Sequence, residues 1–106
     1  MAVYLIAQIL IHDRAEYDKY EAGFMDVWEK FDGKLLSVDD EPRVLEGEFE
    51  ATRSVLLEFP TKEAAFAWAA SDEYQAIAKH RHAASITNSI MVKSGAPQLS
   101  KDASDT

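Results

Sequence analysis

The stretch SDEYQAIAKHRHAAS puts Tyr74, Ile77 and Ala78 at i, i+3 and i+4, one apolar helix face, and the next member of that series is Arg81. A guanidinium on an inward stripe has two uses. It can answer a buried carboxylate, or it can hold the acidic group of a ligand, since its planar fork grips carboxylates at two points. Glu58, in RSVLLEF, and Glu46, in LEGE, are the carboxylates expected to meet it. The same two are candidates for moving a proton, because a carboxylate partly dehydrated beside Leu56 binds its proton more tightly and suits general acid–base work. The plainer reading of Glu58 is a pair with a basic group near the sheet edge. Arg53 opens the same segment and is either a second contact for a bound acid or an exposed strand end. Tyr17 and Tyr20 carry hydroxyls that need partners if buried, and the two could line a pocket between helix and sheet.

His80 and His82 flank Arg81, but residues two apart on a helix point roughly 200° apart and cannot share one ion. Helical metal pairs need a spacing of four. His12 is remote in sequence, and there is no cysteine. No metal is expected, and the histidines read as solvated. No Gly-rich phosphate loop, nucleophile elbow or nucleotide motif is present, so no cofactor is expected either.

The elements that must position these residues follow from period and caps. Ala2 to His12 reads as a strand with Val3, Leu5, Ala7, Ile9 and Ile11 on one face and Tyr4, Ile6, Gln8 and Leu10 on the other, apolar on both sides. Asp13 caps a helix, with Glu16 completing a capping box. Tyr17, Tyr20, Phe24, Val27, Trp28 and Phe31 give its inward stripe, and Gly33 marks its stop. GKLLSVDD is a short strand, DDEP a turn, and RVLEGEF a second short extended piece. RSVLLEF is a strand from Arg53 to Phe59, with Val55, Leu57 and Phe59 on one face and Leu56 and Glu58 on the other. Thr61 caps a helix over TKEAAFAWAAS, Ser71 recaps, and SITNSIMVK is the last strand. There Ile86, Asn88, Ile90 and Val92 share one face, and Thr87, Ser89 and Met91 the other.

The order β-α-β-β-α-β is an α+β, ferredoxin-like arrangement: an antiparallel sheet with helices on one face. The other face keeps the second side of the first strand, with Leu56 and Met91 expected to join it. Such an apolar surface marks an interaction site, and a homodimer with sheet face against sheet face would cover it.

The 106 residues suffice for one domain, taken as 1–95, and the polar tail 96–106 is expected to be disordered. Acidic residues outnumber basic ones 19 to 11, for a net charge of −8. That balance argues against a phosphate backbone or an anionic membrane surface as partner. AVYLIAQILIH is too short to span a bilayer and lacks the basic flank of a signal peptide, so a soluble, cytoplasmic protein is expected.

YLIAQI, the Tyr17/Tyr20 pair, LEGE, RSVLLEFP and AFAWAASDEYQAIAKHR together resemble DUF1330, a domain family of unknown function, over about Val3 to Gly95. The resemblance implies a dimeric α/β barrel built by two ferredoxin-like chains, and no established activity. Where the family often has glycines before LEG, this chain has Asp39, Asp40 and Glu41. The functional expectation is a pocket for a small, acidic organic molecule. Arg81, Arg53, Tyr17 and Tyr20 would bind it, and Glu58 or Glu46 would serve a cofactor-free reaction. The alternative is a structural or regulatory dimer without a substrate.

Overall fold

The computed structural model describes residues 1–95. The expectation for 96–106 lies outside them. The elements run β1 (Val3–Ile11), α1 (Arg14–Trp28), β2 (Lys34–Asp39), β3 (Arg53–Phe59), α2 (Lys62–Ala69), α3 (Asp72–Ala84) and β4 (Ser85–Lys93). The strands form one antiparallel sheet in the order β2-β3-β1-β4, the ferredoxin-like α+β architecture.

Each helix starts where a short polar side chain satisfies an otherwise free N–H. Asp13 Oδ1 accepts from Glu16 N at 3.1 Å, Thr61 Oγ1 from Ala64 N at 3.1 Å, and Ser71 Oγ from Tyr74 N at 3.1 Å. The reciprocal half of the expected capping box is replaced: the Glu16 carboxylate turns to His80 and Lys19.

Three sequence expectations change. The first helix ends at Trp28, and Gly33 is not a left-handed stop, since the positive-φ residues among the described ones are Gly47 and Gly95. Gly33 is small because a Cβ there would run into the Trp28 ring and meet Phe59 Cε1 at 2.8 Å. RVLEGEF forms no strand; the segment between β2 and β3 is irregular and largely exposed. Met91 pairs with Leu5, so it faces the helices and not the open side.

Cross-strand register explains where the core is full and where it is not. Near one end the inner face carries Phe59 beside Val3, and Trp28 and Trp68 pack there with ring centroids 5.1 to 5.6 Å apart. The next inner rows are Leu57–Leu5–Met91, Val55–Ala7–Ser89 and Arg53–Ile9–Thr87. Ala7, Ser89 and Thr87 are short, so α1 and α3 close over space they do not fill. The outer face stacks Leu56–Ile6–Ile90 and Leu10–Ile86, with Tyr4 and Val92 beside Glu58. Ile86 and Ile90 are 60% and 61% exposed.

Candidate functional site

The unfilled space is a cavity of about 350 Å³ between the sheet and α1 and α3. That is within the usual size range of small-molecule sites. Its walls are mainly apolar: Leu57, Val55, Ala7, Phe24 and Trp68 are typical. Exposed Met25, Leu35 and Val38 form its rim. Polar groups enter from four elements: Tyr17, Tyr20 and Glu21 from α1, Arg53 from β3, Tyr74 and Arg81 from α3, and the Thr87 and Ser89 hydroxyls from β4.

The two arginines differ in what they meet. Arg53 is 12% exposed and doubly paired: Nη2 lies 2.9 Å from Glu21 Oε2 and Nη1 2.6 Å from Asp40 Oδ1. Its guanidinium also stands 5.6 Å from the centre of the Tyr17 ring. Its buried Nε has no hydrogen-bond partner among the described residues. Arg81 has no carboxylate within ion-pair distance among the described residues. Its Nη2 lies 3.4 Å from Tyr74 Oη and 3.4 Å from His82 Nε2, and the guanidinium sits 5.6 Å from the Tyr20 ring centre. Burial works against its charge, but the Tyr74 and Tyr20 oxygens outweigh that and hold its pKa above the ordinary value.

Tyr20 and Tyr74 share a hydrogen bond, Oη to Oη 2.9 Å, while both rings are buried. Burial, and then the neighbouring Tyr74 hydroxyl, push the Tyr20 hydroxyl well above the ordinary tyrosine range, so it stays protonated. Burial likewise raises Tyr17, with Arg53 pulling the other way.

Of the residues singled out from sequence, the structure brings together Arg81, Arg53, Tyr17 and Tyr20. It does not bring Glu58 or Glu46 to them. Glu58 pairs in register with Tyr4 and Lys34 on the outer face of the sheet, away from the cavity. Glu46 is exposed in the segment between β2 and β3. Neither lines the cavity, so the expected ion pair of Arg81 with one of them is replaced by hydroxyl and ring contacts. His80 Nδ1 bonds Glu16 Oε2 at 2.6 Å, and that contact, then Lys19, holds the Glu16 carboxyl below its usual range. No cluster of three or more metal-ligating side chains occurs among the described residues.

Sequence reasoning missed Glu21, Asp40 and Trp68. Glu21 had a readable signal, four residues after Tyr17 and so on the same flank of α1. Asp40 had none, since it sits in a turn whose approach to Arg53 depends on the β2–β3 pairing.

Residues 2–94 match the model of the domain of unknown function DUF1330, and the chain belongs to that family. Solved structures of similar fold include a protein of unknown function from Rhodopseudomonas palustris, 18% identical over 91% of this chain and 84% of that one, with a TM-score of 0.78. A dimeric ferredoxin-like protein of unknown function from Jannaschia sp. CCS1 is 10% identical over 89% of this chain and 100% of that one, TM-score 0.65. The cofactor-independent oxygenase SnoaB from Streptomyces nogalater is 13% identical over 93% of this chain and 98% of that one, TM-score 0.62. At these identities the likeness is one of fold. No curated protein matches the chain.

Proposed function

We propose that this DUF1330 chain binds a small, largely apolar organic acid in the helix–sheet cavity, with Arg81 as its anionic anchor. One observation carries the reading. Arg81 is a half-buried guanidinium facing an apolar cavity with no carboxylate on it among the described residues, whereas Arg53, on the same cavity, has two. A desolvated cation without a counter-ion is costly, and a bound anion would supply one. Tyr17, Tyr20 and Arg53 add to the polar lining, and Phe24, Val55 and Leu57 would take the apolar body. A chemical step without a cofactor, as in SnoaB, enters this reading only as an analogy of fold. Glu58 and Glu46 have no part in it from where they lie.

The same reading includes a homodimer in which two outer sheet faces meet and form the barrel, and a cytoplasmic location. Support for the dimer comes from the exposed Ile86 and Ile90 on that face and from the dimeric protein of similar fold. The test of the cavity is a thermal-shift panel of small aromatic and aliphatic acids, each beside its neutral amide, on the parent and on Arg81→Met. Acids should raise the melting temperature of the parent, amides should do so less, and Arg81→Met should lose the difference. Equal response to acids and amides in the parent removes Arg81 as anchor. No response to any member supports the structural dimer instead.

A further inference from the structure

Resting on the cavity as a ligand site, we propose that its acid is a single ionised oxygen on a planar conjugated body. A phenolate or enolate, held by Arg81 with Tyr20 and Tyr74, fits better than a carboxylate.

The first argument is an inventory of protons. Tyr20 and Tyr74 have one O–H each, and their mutual hydrogen bond at 2.9 Å uses one of the two. The other is left over whichever hydroxyl donates. Arg81 cannot take it, since a guanidinium only donates. Both tyrosines are buried, at 7% and 5% exposed, and both line the cavity, as does Arg81. The cluster therefore offers one hydroxyl proton and guanidinium protons toward a space in which none of the lining acceptors, Glu21, Tyr17, Thr87 and Ser89, is hydrogen-bonded to it. Such a donor set is complementary to an oxyanion.

The second argument is the shape of Arg81. Both two-pronged edges of a guanidinium, Nε with Nη2 and Nη1 with Nη2, run through Nη2. Here Nη2 faces Tyr74 Oη and His82 Nε2, each at 3.4 Å. What remains are separate N–H donors, suited to one oxygen and not to the forked grip a carboxylate prefers.

The third argument concerns where the ligand's proton goes. The other titratable groups on the cavity are Tyr17 and Glu21 from α1 and Arg53 from β3. Glu21 is the one carboxylate among the described lining residues, and both its oxygens are engaged, Oε1 by Arg14 Nη2 at 2.6 Å and Oε2 by Arg53 Nη2 at 2.9 Å. It is no free base. The ligand's O–H bond breaks with the proton passing to solvent, and the site stabilises the anion that remains.

The probe is 4-nitrophenol, whose ionised form is visible by its absorbance, with 4-nitrobenzoate and neutral 4-nitroanisole as companions. On the parent protein the bound phenol should ionise at a pH lower by about one unit or more, the effect of an opposite charge at contact distance. It should also bind several-fold tighter than either companion. Arg81→Gln, which keeps donors but removes the charge, should abolish the shift. Tyr20→Phe together with Tyr74→Phe, which removes both hydroxyls and with them the surplus proton, should reduce it, and this pair carries the test should the arginine variant fail to fold. An unchanged or raised ionisation pH in the complex overturns the proposal, as does tighter binding of 4-nitrobenzoate. The latter would leave the cavity reading standing. Binding of none of the three overturns both.

Discussion

Arg53 enters the cavity with Glu21 and Asp40 on it, and Arg81 enters with two tyrosine hydroxyls and a ring. The difference predicts stability effects of different size. Glu21→Gln combined with Asp40→Asn strands the more buried partner and should cost roughly 2 kcal/mol; Arg53→Met leaves carboxylates that already reach water and should cost less, about 1 kcal/mol. Urea unfolding of both variants checks the order, and the reverse order would mean the carboxylates are the desolvated side. Arg81→Met should cost under about 1 kcal/mol or add stability, because no carboxylate is left behind. Tyr20 adds a pH effect. Its folded pKa lies above its unfolded value near 10, so the unfolded chain loses the proton first as pH rises. Stability from this group is complete below about pH 10 and declines above it; Tyr20→Phe should flatten the fall between about pH 9 and pH 11 in urea titrations. An equally steep fall in the variant would assign the effect elsewhere. At this scale the sequence was half legible. Helix phase placed Arg81 inward correctly. Strand parity already put Glu58 on the side of Leu56, opposite Leu57 and Phe59, so its pairing with Arg81 was excluded by the same alternation that located the strand.

The elements owe their positions to a few side chains that set spacing. β3 was readable to the residue because Val55, Leu57 and Phe59 alternate strictly and Pro60 follows. Apolar spacing carries the first helix on to Phe31, three residues past its end at Trp28, in a turn that is no longer helical. Residue type alone makes Gly33 a helix stop, yet its role is room for Trp28 and Phe59. Gly33→Ala should therefore destabilise by about 1–3 kcal/mol through overpacking, with no left-handed strain involved. A variant as stable as the parent in thermal and urea unfolding would show that Trp28 moves aside freely. RVLEGEF had strand-like residue types but takes no place in the ladder; the edge strand β2 pairs with β3 alone.

On the scale of the molecule, a sheet with both faces apolar has helices on only one. Apolar composition in β1, β3 and β4 makes this legible, although composition alone puts Met91 on the open side and only the β1–β4 register sets it opposite Leu5. If two copies close the open face, an interface on the order of 1,600 Å² is expected. Sedimentation at micromolar concentration should then give twice the 11.9 kDa chain mass, and Ile90→Glu, a charge at the centre of that face, should return the chain to monomer. A parent that sediments as a monomer would leave the outer face to another partner. The central claim, an acid-binding cavity anchored at Arg81, is tested most directly by a crystal structure with a bound acid from the thermal-shift panel. The account predicts the ligand between α1, α3 and the sheet, its anionic oxygen within hydrogen-bond distance of Arg81 and of Tyr20 or Tyr74. A ligand lying on the outer sheet face, or in the cavity with its acid turned away from Arg81, would contradict it.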